Sequence, residues 1–390
     1  MYPFLTQRFV FLLLLAVVGA VVSGTTGISN MAAMEKVLVL RGGVQLMLEG
    51  EVVVEAQDGG IMLRATDGRI WMIQPDEIKS RKSDSVPFKS MDVNTLGKRV
   101  IQSMPGSAGN FRVLKSNGYL VVYNTSPAYA GWVKGVYMRL TVAFKNFWKN
   151  KGVELQKPDV PLCIVIFKNK QEFDAYSRAT LGSVQGNALA YYNMQSNQVV
   201  MYDLTGIAQL GGKRISSTVQ LGKILRQPAA GPMVATIVHE AVHQISYNSG
   251  LQKRFGPYPF WLNEGLAMFF EVPDLKSKRG WHGIGKINHV RLDQVKQMIR
   301  GDATEFFNAI LKRDDRFREA DQLLNSYAES WALSFYLIHR KPKEYVGYLQ
   351  EINSMPPLSE LDENERMKLF AKHFGDLEVI KKECFELILR

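Results

Sequence analysis

The residues best suited to chemistry lie in Pro232-Met-Val-Ala-Thr-Ile-Val-His239-Glu240-Ala-Val-His243-Gln-Ile-Ser-Tyr-Asn248. Pro232 suits the first turn of a helix and Gly250 its end. On that helix His239 and His243, four residues apart, share one face about a turn from each other. Two neutral imidazoles at this separation can bind one zinc ion. Glu240, beside the first of them, can take a proton from a water on that ion. Val234, Ile237, Val238, Val242 and Ile245 make the helix apolar around the motif. A buried helix face rarely carries two histidines and a glutamate without a use for them.

A zinc ion that activates water takes three protein ligands and keeps one position open. The pattern with Gly three residues beyond the second His and a third His three further on is absent, since Ser246 and Ser249 occupy those positions. The other solution is a glutamate on a second helix. Pro259-Phe-Trp-Leu-Asn263-Glu264-Gly-Leu-Ala267-Met-Phe-Phe-Glu271 supplies one, with 20 residues between His243 and Glu264 for a loop and a return helix. Gly250, Gly256, Pro257 and Pro259 mark the loop, and Gly265 and Ala267 would let the two helices approach closely. Asn263 and Glu271 are candidates for orienting the ligands; helix capping and surface charge are the plain alternative.

The two segments together resemble the gluzincin metallopeptidases, the group containing thermolysin and aminopeptidase N. In that group the Glu of the Asn-Glu-Gly-x-Ala segment is the third zinc ligand, so the resemblance implies this role for Glu264. Gluzincins also stabilise the oxyanion with a tyrosine or histidine. Tyr327, in Asn325-Ser-Tyr327-Ala-Glu-Ser-Trp331, is similar in placement to the tyrosine on a later helix of aminopeptidase-like members; a packed aromatic at a helix start is the alternative, and Tyr258 is a weaker rival. The wider frame, over about residues 36–380, is similar to an uncharacterised family of exported bacterial gluzincin-like proteins. Aminopeptidases of the group carry a Gly-x-Met-Glu-Asn segment whose Glu holds the substrate amine. The counterpart here, Gln185-Gly-Asn-Ala-Leu-Ala-Tyr-Tyr-Asn193, has no acidic residue, which disfavours exopeptidase action. Gln198–Tyr202 is the expected edge strand for an extended substrate, with Asp203 beside it structural.

The expectation is therefore an exported zinc-dependent peptidase acting as an endopeptidase on a peptide or protein substrate. One zinc ion is held by His239, His243 and Glu264, with Glu240 as general base and Tyr327 on the oxyanion. Two alternatives stand beside it: a non-catalytic zinc-bearing scaffold, and a zinc hydrolase of a non-peptide amide. A structural zinc is disfavoured because such sites close with four protein ligands and only three are found. His282, His289, His339 and His373 have no partner at useful spacing.

These residues need elements to position them. Glu51–Ala56, Ile61–Ala65 and Ile70–Ile73, punctuated by Asp58-Gly59-Gly60 and Asp67-Gly68, read as hairpins and make residues 36–82 a small β-barrel-like module. Residues 83–109 read as a linker, 110–350 as the metallopeptidase-like domain (a mixed sheet, then a helical part with the zinc site) and 351–390 as a C-terminal helical extension. Within the domain, strands are expected at Tyr119–Tyr123, Leu162–Phe167, Ala188–Tyr192 and Gln198–Tyr202, with helices over Ala128–Lys149 and Gln171–Thr180. Residues 204–231 are Gly-rich and ambiguous. Strands first and helices later give an α+β class.

Arg8 precedes 14 apolar residues, Phe9–Val22, and small residues follow, which reads as a signal peptide over residues 1–24 and export. An uncleaved membrane anchor at residues 9–22 is the alternative. With 390 residues, 46% of them hydrophobic, the chain can bury a large core, and its two cysteines exclude a disulfide-rich scaffold. Cys163 and Cys384 could pair in an oxidising compartment or remain buried free thiols. The net charge of +11 is diffuse, with 22 Lys+Arg against 14 Asp+Glu in residues 1–195 and 26 against 23 in the rest. No nucleic-acid signature accompanies it, and an anionic cell-surface polymer is the better candidate partner.

Overall fold

The computed structural model describes residues 33–389 except 105–109, 117, 183–187, 208, 209, 211, 213, 214, 276–280 and 302. The expected signal segment therefore lies outside the described residues, as do Gln185–Asn187. Among the described residues no helix is long and apolar enough to cross a membrane.

Two five-stranded sheets precede a helical region, so the α+β class expected from the element order is the one the chain adopts. The first sheet contains β1 (Ala33–Arg41), β2 (Val44–Glu55), β3 (Ile61–Ala65), β4 (Ile70–Ile73) and β5 (Ile78–Pro87). Its neighbours are all antiparallel, in the order β4-β3-β2-β1-β5. Gly59 and Gly68 sit at φ of +89° and +82°, the positive values that tight hairpin turns require. The hairpins fall where the Asp-Gly signals put them, but the sheet is open and not the barrel they suggested. Closure would need β4 to pair with β5. Instead, the Ile70 N–H at the edge of β4 donates to Gln195 O of the second sheet at 2.7 Å. Val37, Val39, Ile61, Leu63 and Ile73 form this sheet's own small core.

Residues 83–104, the described part of the expected linker, are not a simple connection. They complete β5 and build α1 (Val93–Gln102), whose first turn is capped by Asp92 accepting from Asn94 N and Thr95 N. Leu96, Gly97 and Val100 face inward, and Gly97 lies against Val113 and Leu120 of the second sheet.

That second sheet holds β6 (Arg112–Ser116), β7 (Tyr119–Tyr123), β8 (Leu162–Phe167), β9 (Ala190–Asn193) and β10 (Gln198–Tyr202), in the order β6-β7-β8-β10-β9. β8 runs parallel to both β7 and β10, while β6 and β9 are antiparallel edges. Every residue of β7, β8 and β10 is buried, which is why these strands read as continuous apolar runs without alternation. One expectation is corrected here. Gln198–Tyr202 is an interior strand, and the edge is β9. The hairpin at Asn197 (φ +59°) was legible. Which arm joins the sheet is decided by the pairing of β10 with β8, Val199 opposite Ile164.

The helices are α2 (Pro127–Asn150), α3 (Lys170–Leu181), α4 (Thr218–Ile224), α5 (Ala230–Asn248), α6 (Phe260–Phe270), α7 (His289–Arg300), α8 (Asn308–Lys312), α9 (Leu323–Arg340), α10 (Pro342–Ser354), α11 (Glu363–Phe374) and α12 (Leu377–Leu389). α5 packs on α2, β9, β10 and α6, and α6 packs in turn on α9. Residues 351–390 are no appendage, since Leu369, Phe370, Ile380 and Cys384 of α11 and α12 share one core with the residues around α5 and α6. Both cysteines are free and buried, and burial pushes the Cys163 thiol up to about 12.

Gly265 has a different partner from the one expected. A Cβ there would lie 2.0 Å from Ser334 Oγ and 2.4 Å from Ser330 O, so the close approach is of α6 to α9, not to α5. Gly265→Ala is expected to force these helices apart and to cost about 3 kcal/mol, the upper end of overpacking penalties. Chemical denaturation would register this as a lower midpoint, and an unchanged midpoint would show that α9 yields freely.

Candidate metal centre

α5 is rich in β-branched residues, so burial holds it as a helix more than propensity does, and Met233–Tyr247 contains scarcely a position open to solvent. Gly250, at φ +78°, follows its end. Inside it, His239 and His243 lie one turn apart with ring centroids 4.8 Å from each other. α6 begins after Pro259 and brings Glu264 against both rings. The contacts are His239 Nε2 to Glu264 Oε2 at 3.1 Å, His239 Nε2 to His243 Nε2 at 3.1 Å and His243 Nε2 to Glu264 Oε1 at 3.6 Å.

These spacings fit a metal ion. Bonds of about 2.0–2.1 Å in a tetrahedron put neighbouring ligand atoms about 3.3 Å apart, and the three observed separations bracket that value. The lone pairs also point the right way. His239 Nδ1 lies 2.8 Å from Glu271 Oε2; donation there leaves Nε2 as an acceptor facing Glu264 and His243. A cluster of two imidazoles and a fully buried carboxylate (Glu264, 0% exposed) is costly unless something joins it. His239, His243 and Glu264 form the one such cluster among the described residues. Nitrogen and oxygen donors of this kind suit zinc.

The electrostatics follow from burial and crowding. Burial pushes His243 down to about 4, keeping its ring neutral as a metal ligand requires. For His239 burial opposes the charged ring, but Glu264 and Glu271 outweigh it and raise its pKa. Burial likewise favours the neutral acid at Glu264, but His243 and His239 overcome it and hold the carboxyl below its ordinary value. At Glu240 burial outweighs the pull of His239 and the Tyr192 N–H, and it pushes the carboxyl up to about 8, close to the operating range of a general base.

Glu240 points one oxygen at the second sheet. Its Oε2 accepts the backbone N–H of Tyr192 on β9 at 2.7 Å, while its buried Oε1 has no hydrogen-bond partner among the described residues. Tyr327, at the start of α9, reaches the same cluster. Its hydroxyl bonds to Glu264, and burial raises its pKa well above the ordinary tyrosine value. Phe317 meets its ring edge-on.

Other expected residues go elsewhere. Tyr258 donates its hydroxyl to Asn353 Oδ1, and Asn263 accepts from Gln252, so neither joins the cluster. Asp203 caps a short helical turn, as its structural reading had it. His282 pairs with Asp274, His373 with Glu351, and His339 meets Gly285 O. Glu271, left open between two roles, sits on His239. Three participants were missed. The Tyr192 N–H carries no signal in a residue type. Asn288 and Arg291 were legible only as the cap and first turn of a helix, yet Asn288 Nδ2 donates to Glu271 Oε1 at 2.7 Å.

A family described as "Protein of unknown function (DUF1570)" matches residues 233–359. The matched stretch runs from α5 to just beyond α10. It contains the two histidines, Glu240, Glu264, Glu271 and Tyr327, and it leaves out both sheets. No curated protein matches the chain.

Proposed function

We propose that this chain is a zinc-dependent peptidase of the gluzincin kind, acting as an endopeptidase. The observation that carries the reading is the position of Glu240. It stands next to a ligand set with zinc spacing, one oxygen fixed by an edge strand and the other without a partner among the described residues. His239, His243 and Glu264 would hold the ion, which would supply a Lewis acid and an acidified water.

The chain's own residues do the rest. Glu240, buried and with a raised pKa, accepts a proton at Oε1 and later returns it to the leaving amine. The Tyr192 N–H holds the other oxygen so that the carboxylate cannot rotate away. Because this N–H points from β9 to Glu240, the outer edge of β9 faces the cluster. Ala190, two residues earlier, shares that edge by the period of a strand. An extended peptide can pair with the backbone groups of this edge other than the Tyr192 N–H, which Glu240 keeps, so that it is held beside the base. This moves the substrate-binding role from β10 to β9.

Tyr327 donates a hydrogen bond to the developing oxyanion, leaving Glu264 for it as the reaction proceeds. Tyr327→Phe is expected to lower kcat about 100-fold, the lower range for loss of one oxyanion donor. Steady-state kinetics with zinc content measured in parallel would check this, and an unchanged kcat removes Tyr327 from the reaction.

The apolar stretch at residues 9–22 supports export, and the diffuse positive charge suits an anionic cell-surface polymer as partner. The direct test is digestion of a diverse peptide library by the protein with added zinc, with a chelator, and after zinc is restored. Cleavage that disappears with chelator and returns with zinc supports the reading and supplies the sequence preference. A folded, zinc-loaded protein that cleaves nothing would redirect the assignment to a non-peptide amide or a binding scaffold.

A further inference from the structure

We infer that Arg291 is a positioning residue of the metal centre, holding at once the orienting partners of two of its three ligands; this rests on the metal reading above. α7 opens with Asn288, whose Oδ1 accepts the Arg291 N–H at 3.3 Å while its Nδ2 donates to Glu271 Oε1. The cap fixes the first turn of the helix and so the point from which the Arg291 side chain departs. From there the guanidinium Nε lies 3.8 Å from Glu271 Oε1, and its Cζ lies 5.4 Å from the centre of the Tyr327 ring.

Each contact leads to a ligand. Glu271 Oε2 engages His239 Nδ1 at 2.8 Å, and the Tyr327 hydroxyl bonds to Glu264. Arg291 thus reaches His239 through Glu271 and Glu264 through Tyr327, two ligands on two different helices. Its side chain is 15% exposed and that of Glu271 8%, so water screens their attraction little. A planar guanidinium can lie over an aromatic ring and still direct an N–H at a carboxylate. A lysine ammonium keeps the charge but not that geometry.

The test is Zn2+ affinity of the full chain, measured by competition with a chromophoric chelator, together with the absorption spectrum of the Co2+ form. Arg291→Ala should weaken Zn2+ binding about 10–100-fold, the usual cost of losing an outer partner of a ligand, and should alter the Co2+ spectrum. Arg291→Lys should recover only part of the affinity. Gln294→Ala, on the same helix and bonded to Asn325, should stay within about twofold of the parent and controls for the docking of α7. In a Glu271→Gln, Tyr327→Phe background, Arg291→Ala should cost nothing more, because both routes are already cut. Parent affinity in Arg291→Ala, the same loss in Gln294→Ala, or an undiminished loss in the double background would each overturn the inference. If Arg291→Ala does not fold, Arg291→Lys decides, and full affinity there overturns it. A parent protein that binds no Zn2+ would instead remove the metal reading, and this inference with it.

Discussion

Glu240→Gln is expected to leave the fold and Zn2+ binding intact while lowering peptide hydrolysis by at least about 1,000-fold, or roughly 4 kcal/mol of transition-state energy. The substitution changes no volume, so it opens no cavity in α5. Its amide oxygen can still accept the Tyr192 N–H, now received by Glu240 Oε2 at 2.7 Å. The amide nitrogen then takes the place of Oε1, which has no partner among the described residues of the parent. What disappears is a group able to take and return a proton. Initial rates on the best library peptide, with zinc per chain measured on the same samples, give the answer. Full activity in the variant would falsify the base assignment. Loss of zinc with the activity would make Glu240 a part of the metal site.

Glu264→Ala should abolish zinc retention. Structural zinc sites bind with about 10–16 kcal/mol, so one ligand of three or four carries about 3–5 kcal/mol, at least about 100-fold in affinity. The loss goes beyond a donor. Glu264 is the group facing both His239 Nε2 and His243 Nε2, and the one to which Tyr327 bonds. Without it, nothing in α6 reaches the two rings from that side. Equilibrium dialysis followed by metal analysis would measure the effect. Undiminished zinc content would mean that the ion, if held, sits elsewhere on the two histidines.

Both variants rest on spacing within or between two helices, which a sequence carries directly. Four residues separate His239 from His243, and a helix turns that number into a shared face. The Asp-Gly turns, the apolar runs of β7 and β8 and the length of α2 were legible for the same reason: the information is local. The barrel failed because closure is a relation between β4 and β5 that no short window contains. The edge strand failed likewise, since β9 and β10 are alike as hairpin arms and only pairing with β8 tells them apart. The segment with α1 reads as a linker in isolation because only one cap, Asp92, marks the helix locally, and its inward face is defined by contact with the second sheet.

By itself, then, the sequence determined the chemical inventory of this protein: two imidazoles on one helical face, a carboxylate beside them, a second carboxylate one loop away, and the α+β order of elements. The tertiary structure alone decided that Glu264 lies 3.1 Å from His239, that Glu271 turns His239 toward the cluster, and that the base rests on the backbone of β9. The reason is physical. Helix periodicity fixes neighbours a turn apart, whereas the meeting of α5 with α6, β9 and α7 depends on core packing and on backbone groups. Every residue type carries those groups alike, so the order of side chains does not reveal them.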